Sequence, residues 1–331
     1  MNIEELREIV EIPGISGFED QVKEWIVSKI DLPYRVDPIG NLAYTIGEGE
    51  KEIVFMAHMD EIGLVVTGIN ADGTLNFRKV GGVDDKVLWG SHLIVVTPSR
   101  KLEGIIGPLP PHLSRQGVQT STAERMVIDI GAESAQEAEE LGVRPITFAV
   151  FKKQFSVLNG RLVASRALDD RFGCLALVEL LRELKIDPPK RKVTVVFSVQ
   201  EEIGLKGAKA YAARNELPDV VYAVDSFACC SQLTGEVKLG GGPVLRVFDN
   251  SAIASWNEVK HITTLADNLG IPLQMGVTGG GTDGSIFVER GSLMVPITLA
   301  VRYLHSTVET ISMDDYDNLV KLLKGIAYEE E

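Results

Sequence analysis

Cysteine is scarce in this chain, and the three present (Cys174, Cys229 and Cys230) make no disulfide framework. Two of them are adjacent, a spacing that does not readily bridge. No Cys-x-x-Cys occurs, which excludes cysteine-based zinc sites. The three are read as small buried residues. Long apolar runs are missing too: no segment approaches the roughly 18 residues a bilayer span requires. The N-terminal Met1-Asn2-Ile3-Glu4-Glu5 is acidic and amphipathic rather than basic and then apolar, so no signal peptide is expected and the cytoplasm is the expected compartment. There is no basic excess. Lys and Arg number 33 against 47 Asp and Glu, a net charge of −14 that nucleic acid and anionic membranes would repel. Three Trp and seven Tyr leave little material for stacking sugars.

What is present is an α/β pattern. With 331 residues the chain can bury one large core or two domains. Asn2 with Glu5, and Ser16 with Glu19, carry the spacing of capping boxes for two helices near the start. From about Leu64 to Phe155 the chain reads as short strands, with Asp72-Gly73 as a hairpin turn and Ser134 with Glu137 capping one short helix. Alternating buried strands and amphipathic helices resume near Leu168 and close on a helix at Met313–Tyr328. The expected fold is α/β: a mixed, largely parallel sheet flanked by helices, formed by 1–65 and 158–331, with a small β-rich domain inserted at 66–157.

The chemistry collects where apolar runs stop. Ile53-Val-Phe-Met-Ala57 ends in His58-Met-Asp60-Glu61, and a run apolar at every position predicts a strand buried on both faces. Open α/β sheets put their ligands at the carboxyl ends of such strands. His58 is therefore a candidate metal ligand and Asp60 the group that would orient its ring; a hydrogen-bonded structural histidine is the other reading of that one residue. Val193–Val199 runs into Glu201-Glu202, Val220–Val224 into Asp225, and Pro296–Val301 is soon followed by His305. Asp169 precedes a helix, where it could cap that helix or face the sheet edge. In a parallel arrangement these ends converge. Two histidines with three or more carboxylates suit paired divalent ions such as zinc, cobalt or manganese. The joint pattern points to a metallohydrolase.

These segments, namely His58-Met-Asp60-Glu-Ile-Gly, Ala167-Leu-Asp169-Asp-Arg171, Glu201-Glu202-Ile-Gly-Leu-Lys-Gly, Val224-Asp225 and Arg302-Tyr-Leu-His305-Ser, together resemble the tetrahedral (TET) or deblocking aminopeptidase family, from about Ile3 to the last helix. That family comprises co-catalytic di-zinc exopeptidases, some of whose members carry endoglucanase labels. The resemblance implies two divalent ions per subunit, zinc or cobalt. His58 and Asp225 would hold one, Glu202 and His305 the other, with Asp169 bridging. Asp60 would fix the ring of His58, and Glu201 would be the general base. Short peptides with a free N-terminus would be the substrates, and subunits would pair through the insert and build a dodecamer from dimers.

Two other functions are weighed. A glycoside hydrolase would need two carboxyls across a sugar and no histidine–metal set. A non-catalytic assembly protein would have no use for the intact ligand pattern. Gly279-Gly-Gly281-Thr-Asp-Gly284 matches a dinucleotide fingerprint in form but lacks its acidic partner after the next strand. By resemblance Thr282 and Asp283 border the substrate cleft; otherwise Asp283 caps the helix that follows. His112, in the insert, has no carboxylate-rich strand end beside it and is assigned no role.

Overall fold

The computed structural model describes residues 1–107, 123–152 and 154–329, so His112 lies outside the described residues. A mixed nine-stranded sheet organises the chain. Along its main path the strands run Arg35–Val36, Leu42–Ile46, Lys192–Ser198, Glu52–His58, Val220–Ala228, Ile297–Val301, Val244–Phe248 and Gln274–Val277, with Leu293–Met294 pairing off that path. The middle four are mutually parallel.

The Glu52–His58 strand explains why the layers form. Its alternate residues point to opposite faces. Ile53, Phe55 and Ala57 pack into the large core with Leu175 and Leu319, which belong to the helices Leu168–Ile186 and Met313–Tyr328. Val54 and Met56 pack into a second core with Ala208 and Phe287, from the helices Lys206–Arg214 and Ser285–Val288. Helices thus cover both faces, as a strand apolar at every position requires. Among the described residues no helix is long and apolar enough to cross a membrane.

A separate antiparallel sheet orders its strands Leu75–Val80, Gly63–Ile69, Phe148–Phe151, His92–Val96 and Lys101–Ile105 around its own core, which includes Leu64, Leu75, Leu93 and Phe151. The Asp72-Gly73 turn forms as its chemistry requires: Gly73 sits at φ +85° and Asp72 Oδ1 accepts from Thr74 N. Ser134 caps Ala135–Glu140 by accepting from Glu137 N.

Three local expectations are corrected. Ser16 and Glu19 do not cap the helix Asp20–Lys29 with their side chains; both turn toward the edge of the main sheet, as described below. The strand expected to stop at Val224 runs on to Ala228, because Val224–Ala228 gains Ile297–Val301 as a parallel partner. Cys229 and Cys230 form a disulfide, and Cys230 is exposed rather than buried.

The helix Ile3–Glu11 is tied to Leu168–Ile186 by a two-pronged pair, Arg182 Nη1 and Nη2 on Glu5 Oε2 and Oε1 at 2.8 and 2.7 Å. The Arg182 hydrogen bond holds Glu5 below its ordinary value of 4.5 and outweighs burial. A depressed acid contributes stability above its unfolded-state pKa and loses it as pH falls through the folded-state value. A Glu5→Ala/Arg182→Ala double-mutant cycle should therefore give about 0.5–1 kcal/mol at neutral pH. That coupling should shrink as pH falls below 4.5. Coupling unchanged in acid would contradict the ionic reading.

Candidate active site

Register brings the predicted residues to one edge. Ser198 pairs with His58, and Ala223 with Met56, where the Asp225 strand stops pairing with its neighbour. Continued two residues, the same register puts Asp225 level with His58. Two strands that part at this point open a crevice at their carboxyl ends. Asp169 enters from the start of Leu168–Ile186, where neither it nor Asp170 has helical torsions. It faces the sheet edge rather than serving as an ordinary helix cap.

The contacts are close. His58 Nε2 lies 3.3 Å from Asp169 Oδ1, and His305 Nε2 lies 3.4 Å from Asp169 Oδ2. His305 Nε2 is also 3.5 Å from Glu202 Oε1. Potential ligand atoms fall into three groups: His58, Asp169 and Asp225; His58, Glu201 and Glu202; and Asp169, Glu202 and His305. Among the described residues the buried Asp169 Oδ1 and Glu202 Oε1 receive no well-aligned hydrogen bond, although an imidazole nitrogen lies near each. Buried carboxylate oxygens in that condition call for a cation.

Electrostatics agree. Burial opposes a proton on His58, but Asp169 and Asp60 outweigh it and drive its pKa well up. His305 is pushed up to about 12, with burial again opposing and Asp169 and Glu202 prevailing. Burial raises Asp169, yet the two imidazoles hold it well below the usual carboxylate range. Burial and Asp169 push Asp225 up to about 7. A field that favours protons on two imidazoles also favours divalent cations among the same atoms.

Asp60 braces this group from behind. Its carboxylate accepts from Ser16 Oγ at 2.6 Å, Glu201 N at 3.0 Å and Glu202 N at 3.1 Å. His58 Nδ1 lies 3.1 Å from Asp60 O and 3.5 Å from Asp60 Oδ1, which leaves Nε2 aimed at Asp169. Glu19 Oε1 accepts from Gln200 N at 3.0 Å and supports the same turn. This local demand is why the Ser16–Glu19 spacing does not become a capping box.

A cavity of about 450 Å³ opens over the cluster, walled by Asp169, Glu201, Glu202, Asp225 and His305 on one side and Arg246, Asn250, Ser251 and Thr278–Gly281 on the other. Thr282 and Asp283 are not in its wall. Both are buried, and Asp283 accepts from Ser198 Oγ. Sequence reasoning missed Gly82, contributed by the antiparallel sheet's side. A Cβ there would stand 2.6 Å from His305 Nδ1, so only glycine lets this loop pass. Of the eight non-glycine residues with positive φ among the described residues, Ala167, Gln200, Leu205, Tyr303 and His305 flank the cluster. Such backbone persists only where its surroundings over-determine it.

A mixed α/β sheet with an acid–imidazole cluster at its carboxyl edge defines a metal-dependent hydrolase. The chain belongs to the M42 glutamyl aminopeptidase family, whose model matches residues 40–322. It is an aminopeptidase of a metallopeptidase family that works with divalent metal. The TET1 peptidase of Pyrococcus horikoshii, which can assemble into a tetrahedron or a large octahedral shell, is 52% identical, with 99% of each chain covered and a TM-score of 0.95. The lysyl aminopeptidase of Pyrococcus furiosus is 32% identical across 98% of this chain and 96% of its own. The glutamyl aminopeptidase of Lactococcus lactis is 30% identical across 98% of this chain and 95% of its own. Those two names specify opposite charges, so membership alone does not fix the preferred N-terminal residue.

Proposed function

We propose that the chain removes N-terminal residues from short peptides with two divalent ions, zinc or cobalt, bound among His58, Asp169, Glu202, Asp225 and His305. The observation that carries this reading is the single carboxylate of Asp169 between two imidazoles, one facing each oxygen, at 3.3 and 3.4 Å. That is the arrangement a bridging ligand needs. His58 with Asp225 would hold one ion, and Glu202 with His305 the other. The chemistry such ions supply when bound is polarisation of the peptide carbonyl and acidification of the attacking water.

The remaining work falls to the chain's own groups. Asp60 fixes the ring of His58 and, through two main-chain amides, the turn that carries Glu201. Glu201, in the cavity wall, takes a proton from the attacking water and returns it to the leaving amine. The wall holds four carboxylates, and its one Arg, Arg246, is paired with Asp249 at 2.9 Å. On this reading three of those carboxylates are committed to the ions and Glu201 to the proton, and the requirement for a free α-amine rests on the aminopeptidase family. Glycoside hydrolysis has no use for the paired imidazoles and is not favoured. The catalytic domain on this reading is 1–65 with 158–331. The insert 66–157 pairs subunits, and a dodecamer is built from the dimers; a sizing column measures that state.

The test is release of p-nitroaniline from aminoacyl anilides, with N-acetyl anilides and a soluble glucan alongside. A chelator should abolish release and added zinc or cobalt restore it, the acetylated compounds should react far more slowly, and the glucan should stay intact. Chelator-resistant release would overturn the metal reading. Equal rates on free and acetylated substrates would overturn the role of the free amine.

A further inference from the structure

Glu309 is a buried acid that no step above uses. It opens the strand Glu309–Ser312, pairs in register with Ser165, and is 2% exposed. Its two oxygens point to two different places in the chain. Oε2 accepts from Asp169 N at 3.0 Å, and Oε1 accepts from His305 N at 3.0 Å. Asp60 does the same on the other side, accepting from Glu201 N and Glu202 N at 3.0 and 3.1 Å. Two buried carboxylates therefore each clamp a pair of main-chain amides, and every amide clamped belongs to a residue in the cluster or its catalytic turn.

The segment that Glu309 holds is a tight hairpin with two non-glycine residues at positive φ. Arg302 and Thr310 exchange two backbone hydrogen bonds and close a hairpin whose tip contains Tyr303 at φ +62° and His305 at φ +58°. An L residue stays in that region only where its neighbours leave no alternative. The Glu309–His305 amide bond lies inside the hairpin. The Glu309–Asp169 bond ties the hairpin to a residue 140 positions away.

We propose that Glu309 is a positioning residue that sets the His305 and Asp169 main chains together, so that both ions depend on it through Asp169 and the Glu202–His305 ion, which has two ligands placed by it rather than one, depends on it more. This rests on the ligand reading proposed above. The experiment titrates metal-free full-length enzyme with Co²⁺ alone, by calorimetry and by the visible absorption of the bound ion, for wild type and Glu309→Gln. Glutamine keeps the size and one acceptor but turns an N–H₂ toward the second amide. Wild type should take two ions per chain. The variant should bind both ions more weakly, one of them by about tenfold or more and the other by less, as follows when groups that orient ligands are altered. On an aminoacyl anilide, kcat should fall more than KM rises. Unchanged titration by a folded variant, or equal weakening of both ions, would overturn the proposal. Wild type that takes no ion would overturn the ligand reading itself, a separate outcome. Circular dichroism reports folding; if Glu309→Gln does not fold, Glu309→Asp is titrated under the same criteria.

Discussion

Replacing Glu201 by glutamine should leave metal uptake intact and cut kcat by roughly 10²–10⁴-fold, the range a positioned general base contributes. The change is nearly isosteric, and the bond that fixes the turn runs from the Glu201 main chain to Asp60, so the substitution does not touch it. Burial pushes the Glu201 acid well up; His58 opposes this, while Asp225, Asp283 and Glu202 reinforce it. The alternative role is also defined, since Glu201 groups with His58 and Glu202 within reach of one ion. Metal stoichiometry and kcat, measured on the same preparation, separate the two. A variant that loses an ion is a ligand mutant. A variant that keeps both ions and near-normal kcat leaves the proton transfer without its residue.

Much of this site was legible because strand ends can be read from composition. Five apolar residues before His58, and a similar run before Glu201, leave no amphipathic face, and only a doubly covered parallel strand accommodates that. Asp225 was found for the same reason, although its strand runs three residues further. The second partner that extends it is Ile297–Val301, which lies far along the chain. Glu309 was not legible. Its partners are main-chain amides 4 and 140 residues away, and a main-chain amide leaves no trace in side-chain identity. Ser16 and Glu19 misled in the opposite sense. Their spacing fits a capping box, but Asp60 is fully buried and the Gln200 amide half-buried, and an unmet hydrogen bond there costs more than one at an exposed helix end that water can satisfy. Thr282 and Asp283 lie next in sequence to the cavity wall and are buried rather than part of it, a distinction that a loop sequence does not carry.

Glu61, the acid next to Asp60 in the His58-Met-Asp60-Glu61 segment, takes no part in the chemistry above, and its replacement should give a large loss of stability. Its carboxylate pairs with Arg166 and lies 3.5 Å from Arg171, and all three side chains are at most 5% exposed. It also accepts from Gly14 N at 3.1 Å. Arg171 meanwhile donates to the carbonyls of Ile9, Ile12 and Gly14, so this ion group staples residues 9–14 onto the sheet edge. Removing one member of a buried ion group costs about 3–5 kcal/mol, because the charges left behind stay desolvated. Glu61→Gln would strand two guanidiniums, and neither can reach water without breaking its carbonyl contacts. Guanidinium unfolding at fixed protein and metal concentration should therefore report a loss in that range. Cobalt affinity should weaken as well, because the stapled segment delivers Ser16 to Asp60. A loss below about 1 kcal/mol, the scale of an exposed pair, would mean that the three groups do not act as a buried unit.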